Sequence, residues 1–283
     1  MKRNKSFDNT SPLLYLVATP IGNLKDITYR AIETLTNADL IACEDTRNTK
    51  KLLSFYNIDK PTFSLHEHNE KSATSILIEK ILKGEKVVYV SDAGYPLVSD
   101  PGFILVSECL KVNINVSLIP GPCAFLNALL PSGLDTTHFY FHGFLNAKES
   151  LQKKELEKLK NKEETIIFYE APHRIIKTLK NIASILKNRQ IVLARELTKL
   201  HEEYIYFTSE EVDTLDENTL KGEMVIVVEG YKNENIINDD DIINAYHELK
   251  KSSSLTTKDI IQELSNKFNI NKNKVYDLVN IIN

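Results

Sequence analysis

The sequence predicts an α/β fold: two sheet-bearing domains followed by a small helical one. Three observations carry the prediction. Short apolar runs rich in β-branched and aromatic residues recur from Leu13 to Glu229 and read as buried strands. Segments with helical apolar spacing lie between them, the alternation expected of α/β architecture. Beyond Ile242 the strand signals stop and only helical periodicity remains. A chain of 283 residues suits roughly two domains. Its 42% apolar and 26% charged residues are ordinary for a globular protein.

The formal net charge of -4 gives no global basic field, so a nucleic-acid partner would need local patches. Cys43, Cys109 and Cys123 lack CxxC spacing and read as reduced cytosolic thiols. The seven His show no zinc-type spacing, so no metal site is expected. No apolar run approaches a membrane span. The first twelve residues are polar, lack a signal-peptide core and are expected to form a mobile tail.

The first domain is expected over residues 13–130. Leu13 to Ala18 is its first strand, broken at Thr19-Pro20-Ile21-Gly22-Asn23, with Asp26 suited to cap the following helix. Neither G-x-G-x-x-G nor a phosphate-loop motif is present, which leaves NAD and nucleoside triphosphates unsupported. Asp39 to Cys43 is a second strand ending in Glu44-Asp45-Thr46-Arg47. That string reads either as acids and an Arg that handle a substrate or as a helix N-terminus favoured by the macrodipole. Thr62 to Leu65 is a third strand. After it, His66-Glu67-His68-Asn69-Glu70 reads either as a source of a general base or as a loop capping a helix from Ser75 to Leu82. Val87 to Val90 is a buried parallel strand running into Ser91 to Gly102, where two Gly, two Pro and two Asp fall close together. Gly admits close backbone approach, and ligands in open α/β sheets sit at the carboxyl ends of strands. A binding site is therefore expected at Asp92 to Tyr95; the competing reading is a turn-rich connection with capping Asp and Ser. Ile114 to Ile119 is another strand, leading through Pro120-Gly121-Pro122-Cys123-Ala124 into a helix through Leu130.

Residues 131–138 read as a linker and 139–231 as the second domain. Its strands are Phe139–Phe144, Thr165–Tyr169, Gln190–Ala194, Tyr204–Thr208 and a hairpin strand over Met224–Glu229. Ala147 to Lys162 holds six Lys against three Glu and reads as a surface helix. From Tyr231 to Asp241 the composition suits a linker, within a last domain over 232–283. There, Thr256-x-x-Asp259 resembles a capping box, and two helices with a short turn at Asn269-Ile270-Asn271 resemble a helix-turn-helix. Six Lys against three acids between Glu248 and Lys274 suit either RNA phosphates or a solvated helical face.

Nine strings in order resemble the tetrapyrrole methylase superfamily, and within it the branch that methylates small-subunit ribosomal RNA. They are A-T-P-I-G-N-L from Ala18, E-D-T-R from Glu44, H-E-H-N-E from His66 and S-D-A-G-x-P-x-x-S-D-P-G from Ser91. P-G-P-C-A from Pro120, F-H-G-F-L from Phe141, Y-E-A-P-H-R from Tyr169, A-R-E-L-T-K from Ala194 and K-G-E from Lys221 complete the set.

The resemblance implies two α/β domains with S-adenosylmethionine in the cleft between them, a cytoplasmic homodimer, and methyl transfer to the 2′-hydroxyl of a decoding-centre cytidine in 16S rRNA. The shared fold also permits a small tetrapyrrole or a protein side chain as acceptor. Carried over, the cofactor should meet Pro20, Ile21, Gly22, Asp92, Ala93, Gly94, Tyr95, Cys123, Ala124 and Tyr169. Tyr95 stands where a smaller residue is expected. Candidate bases are Glu44, Asp45, His66, His68, Glu170 and Glu196; candidate RNA anchors are Arg47, Arg174, Arg195 and Lys199.

Overall fold

The computed structural model describes residue 3 and residues 13–232, 239–252, 255–268 and 270–282. The tail expected over 1–12 lies outside them apart from Arg3, as do 233–238 of the expected linker and Asn269 of the expected turn. Packing divides the chain into two units, Met1–Tyr231 and Lys232–Asn283.

The first unit contains two sheets. Strands β1 (Leu13–Val17), β2 (Leu40–Cys43), β3 (Thr62–Ser64), β4 (Val87–Val90) and β5 (Asn115–Ile119) form a parallel sheet in the order β3-β2-β4-β1-β5. Helices α1 (Tyr29–Thr36), α2 (Thr46–Phe55), α3 (Glu70–Leu82), α4 (Phe103–Lys111) and α5 (Ala124–Leu129) follow the five strands in turn. Burial on both faces explains the unbroken apolar runs. Val87 and Tyr89 pack with Leu77 and Leu105 of α3 and α4, while Val88 and Val90 pack with Leu35 and Leu53 of α1 and α2. Neighbouring strands β1 and β4 thus send their connections to opposite faces. That parting leaves a crevice at their carboxyl ends, where open α/β sheets bind ligands.

Two helix starts differ from expectation. Thr28, not Asp26, caps α1: its hydroxyl accepts from the Ala31 N–H at 3.1 Å, because Leu24–Asp26 already forms a 3₁₀ turn. Helix α3 begins at Glu70 rather than Ser75. Glu70 is buried, and its Oε1 accepts from the N–H groups of Gly102 (2.9 Å) and Ile104 (2.8 Å) at the start of α4. The N-cap of α4 is Gly102, which has no side chain to offer, so a carboxylate from α3 does the capping. Glu70→Ala is expected to cost about 1–2 kcal/mol, as a lost cap does. Glu70→Gln, which keeps an acceptor oxygen, should cost less; urea denaturation of both variants checks this.

The second sheet runs β6 (Phe139–Phe144), β7 (Thr165–Glu170), β10 (Met224–Val228), β8 (Gln190–Arg195) and β9 (Glu203–Thr208) across its width. β6 and β7 are parallel; β10 is antiparallel to both β7 and β8. The expected hairpin strand is therefore a central one, and all five of its residues are buried. Helices α6 (Glu149–Leu159) and α7 (Ile175–Ile185) cover one face through Leu156, Leu179, Phe168 and Ile226. The Lys-rich segment is thus a helix with a buried side as well as a wet one. The other face packs Ile167, Val192, Val225 and Val227 against Ala128 and Leu129 of α5 and Ile21 of the first lobe, so the two sheets share a core.

In the second unit, α8 (Asp239–Ser252), α9 (Thr257–Phe268) and α10 (Lys272–Ile282) pack through Ile242, Tyr246, Ile261, Leu264, Val275 and Val279. Thr256 and Asp259 form a capping box at the start of α9: the Thr256 N–H donates to the Asp259 carboxylate, and the Asp259 N–H to the Thr256 hydroxyl. Among the described residues, no helix is long and apolar enough to cross a membrane.

Candidate active site

A cavity of about 360 Å³ opens at the β1–β4 crevice. The first lobe lines it with Ile21 after β1, Asp92 to Tyr95 and Val98 to Asp100 after β4, and Cys123 and Ala124 after β5. The second contributes Phe144, Tyr169 to Pro172, Leu197 and Glu223 to Val225. Backbone hydrogen bonds lace the loops together. Thr19 donates to the Gly94 carbonyl at 2.9 Å, and Gly94 donates back at 3.0 Å. Gly94 sits at φ +75°, where only glycine is unstrained, and a Cβ there would press on Ile21 at 3.3 Å. The Tyr95 hydroxyl accepts from the Gly121 N–H at 3.1 Å. The large residue at that position therefore ties the loop after β4 to the loop after β5.

The lining has one sign of charge. Asp92, Asp100, Glu170 and Glu223 contribute carboxylates, and among the described residues no Lys, Arg or His lines the cavity. Burial, with the nearby Glu44 and Asp92 charges, pushes the Asp100 carboxyl up to about 6 against a hydrogen bond from Ser91. Burial likewise raises Glu44, helped by Asp92 and Asp45 and opposed by His66. Glu170 and Glu223 have counter-charges behind the lining in Arg174 and Lys199, whereas Asp92 and Asp100 form no ion pair among the described residues, and a cationic ligand would supply one. Asp92 is already engaged: Oδ1 accepts from the Asp45 N–H at 3.2 Å and Oδ2 from the Asn48 amide at 2.8 Å. The carboxylate, with two lone pairs on each oxygen, retains acceptor capacity toward the cavity. Burial raises the Cys123 thiol and the Tyr169 hydroxyl, so both present neutral groups.

Ile21, Asp92, Ala93, Gly94, Tyr95, Cys123, Ala124 and Tyr169 come together on this cavity, whereas Pro20 and Gly22 do not line it. A Cβ on Gly22 would lie 2.7 Å from Lys199 Cγ, because the loop after β1 presses on the second lobe. Among the candidate bases, Asp45 caps α2, accepting from the Arg47 N–H at 2.8 Å. The Arg47 guanidinium holds the Asp45 carboxyl down at about 2. Glu170 is sealed by Arg174, Thr178 and the Ala171 N–H. Glu196 accepts from Lys199 at 2.9 Å, and Lys199 also reaches Glu223 at 3.0 Å. Arg195 pairs with Glu203 at 2.5 Å. Of the four candidate RNA anchors, Arg174, Arg195 and Lys199 are thus bound to carboxylates, and Arg47, paired with Asp45, is the one that stands well exposed. Glu44 lies by His66, whose ring meets that of His68 edge-on at 5.9 Å. Asp100 and Glu223, which sequence reasoning did not select, both face the cavity. Asp100 belongs to the S-D-P-G end of the Ser91 string and Glu223 to K-G-E, so the sequence signal for each is its motif.

Residues 13–213 match the family described as Tetrapyrrole (Corrin/Porphyrin) Methylases. The ribosomal RNA small subunit methyltransferase I of Bacillus subtilis (strain 168) is 44% identical, over 99% of each chain. The chain belongs to the tetrapyrrole methylases, in the ribosomal RNA small subunit methyltransferase I branch. The protein of that name from Vibrio cholerae serotype O1 is 47% identical over 82% of each chain. Solved structures share the fold at much lower identity. A diphthine synthase superposes with a TM-score of 0.59 at 14% identity, covering 77% of this chain and 89% of its own. The Thermus thermophilus uroporphyrin-III C-methyl transferase, complexed with S-adenyl homocysteine, gives 0.55 at 15%, covering 77% and 97%.

Proposed function

We propose that this protein transfers the methyl group of S-adenosylmethionine to the 2′-hydroxyl of a cytidine in the RNA of the small ribosomal subunit. The observation that carries the cofactor is that the charged side chains lining the 360 Å³ cavity are all acids, two of which, Asp92 and Asp100, form no ion pair among the described residues. S-adenosylmethionine bears a sulfonium and an ammonium, the charges that such a lining lacks. The branch to which the chain belongs supports RNA as acceptor.

When bound, the cofactor supplies an electrophilic methyl group. Asp100 and the free acceptor capacity of Asp92 are placed to hold its positive ends, and the loop from Asp92 to Tyr95 to offer backbone groups. Ile21, Leu197, Met224 and Val225 supply apolar surface to the cavity wall. Alignment of this kind accounts for up to about 7–11 kcal/mol of a barrier, and a general base adds roughly 10²–10⁴-fold. Of the candidate bases, Glu44, with its raised pKa and no side-chain hydrogen bond among the described residues, His66 beside it and His68 are the groups left to take a proton, from positions outside the cavity lining.

The reaction belongs in the cytoplasm, where its substrate is assembled, and in a homodimer. Leu118 on the edge strand β5, Leu126 on α5, Leu130 after it and Phe139 on β6 are exposed apolar side chains that a second copy would cover. Light scattering should give twice the chain mass.

The test of function is methyl transfer from labelled S-adenosylmethionine to small subunits from a strain lacking this protein, mapped by primer extension sensitive to 2′-O-methylation. A single stop at a decoding-centre cytidine is expected. Cofactor binding with no label in RNA would move the assignment to a small tetrapyrrole or a protein side chain.

A further inference from the structure

Helix α2 presents one exposed stripe to solvent. Arg47, Lys50, Lys51, Ser54 and Phe55 follow the i, i+3, i+4, i+7, i+8 spacing of a single helix face, and all five are exposed. Thr49 and Leu53 turn inward and are buried. The stripe holds three cations, a hydroxyl and an aromatic ring, and α2 contains no acid. Lys50 and Lys51 make no ion pair among the described residues. Lys177 and Lys180 on α7, also a helix without an acid, both pair with carboxylates from elsewhere. Arg47 meets Asp45 through Nε and Nη2; its side chain is 85% exposed, and its remaining N–H groups are left to donate outward. Phe55 is 58% exposed. Its ring stands at 85° to that of Tyr56, 5.0 Å away, and the Tyr56 hydroxyl is held by the Leu24 carbonyl.

One end of the stripe is fixed to the cavity wall. Asp92, which lines the cavity, accepts from the Asp45 N–H and from the Asn48 amide, the residues on either side of Thr46 and Arg47. From there the stripe runs to Phe55 over about 12 Å of helix axis. We propose that this face of α2 is a track for the single-stranded RNA that flanks the acceptor nucleotide, with Arg47, Lys50 and Lys51 on phosphates and Phe55 against a base; the inference rests on the RNA reading above. Cations along a backbone beside an aromatic on which a base stacks are the common means of holding single strands. Such contacts set the strand's position without reading its sequence. The acceptor nucleotide itself is left to the cavity that holds the methyl donor. The net charge of -4 gives RNA no general attraction to the chain, so a local patch has to supply it.

The experiment measures kcat/KM for small subunits in the labelled assay across about 50–200 mM salt, and the S-adenosylmethionine Kd by calorimetry. The proteins are wild type, Lys50→Ala/Lys51→Ala, Phe55→Ala and, as a control that removes two charges elsewhere, Lys177→Ala/Lys180→Ala. The cofactor Kd should be unchanged in all of them. In the α2 double variant kcat/KM should fall about tenfold at the low-salt end, with a deficit that shrinks toward the high-salt end. Its log–log slope against salt should be shallower by about 1.4, at about 0.7 for each phosphate contact on a single strand. In Phe55→Ala kcat/KM should fall about fivefold at every salt concentration with the slope unchanged, the low end of what stacking one base contributes. The control should keep the wild-type values. Wild-type values and slope in both α2 variants overturn the proposal while the RNA reading stands. An equal loss in the control also overturns it, by reducing the attraction to net charge alone. A weakened cofactor Kd in the α2 double variant does the same, by tying the lysines to the cofactor site. Wild type that transfers no label to subunits brings down the RNA reading itself.

Discussion

Asp100→Asn is expected to weaken S-adenosylmethionine binding by about 100-fold while leaving the unliganded protein as stable as wild type or more so. A hydrogen bond to a charged group in a buried site is worth about 1.5–3 kcal/mol, and the upper part of that range is about 100-fold in Kd. The two effects have opposite signs for one reason. Burial and the Glu44 and Asp92 charges raise Asp100 from 3.8 to about 6. A carboxyl raised on folding destabilises the folded state once ionised. Its cost sets in as pH rises from the ordinary value to about 6 and persists above. A bound cation turns the same charge into an attraction. In wild type the Kd should therefore be flat above pH 6 and rise up to tenfold per unit below it, as the carboxylate takes a proton. Calorimetry between pH 5 and 8 reads both features (roughly one decade per unit on the acid limb). An Asn variant that binds like wild type and keeps the acid limb would shift the cation's partner to Asp92 or Glu223.

The strands were legible because most are buried on both faces. Val87–Val90 and Met224–Val228 are continuous apolar runs, and sequence and structure bound them within a residue. Whether such a run is central or part of a hairpin was not legible, since a buried strand looks the same in both settings. The loop from Asp92 to Tyr95 could be found from its Gly and Pro, and it does line the cavity. The tasks of individual charged residues could not be found so. Glu70 and Glu170 stand in the same kind of string as Glu44. What separates them is partners distant in sequence: the α4 N-terminus for Glu70, and Thr178 for Glu170. The environment of Asp100 likewise depends on Glu44, which reaches it only because β2 and β4 are adjacent.

Glu170 and Arg174 carry the largest expected effect on stability. The Glu170 side chain is fully buried. Its Oε1 accepts from the Ala171 N–H at 2.8 Å and faces Arg174 Nε at 2.9 Å. Oε2 accepts from Arg174 Nη2 at 2.9 Å and from the Thr178 hydroxyl at 2.5 Å. Gln152 donates to that hydroxyl at 3.0 Å, and Asn181 to Gln152 at 2.5 Å, so the carboxylate anchors a chain of polar groups running under α6 and α7. Arg174→Leu leaves the carboxylate buried among neutral donors. Breaking a buried pair from one side costs about 3–5 kcal/mol. Arg174 keeps 23% exposure, which favours the lower end of that range. For a unit of this size that is a fall of roughly 6–12 °C in Tm. Leu at both positions should recover part of the loss, because an apolar pair carries no desolvation cost. An anchoring role for Arg174 on RNA predicts something else: a wild-type Tm with weaker RNA binding and a shallower salt dependence. Thermal melts and a salt titration on the same protein separate the two. Since Ala171 and Pro172, next to this pair, line the cavity, the stability result would also say what holds that wall in place.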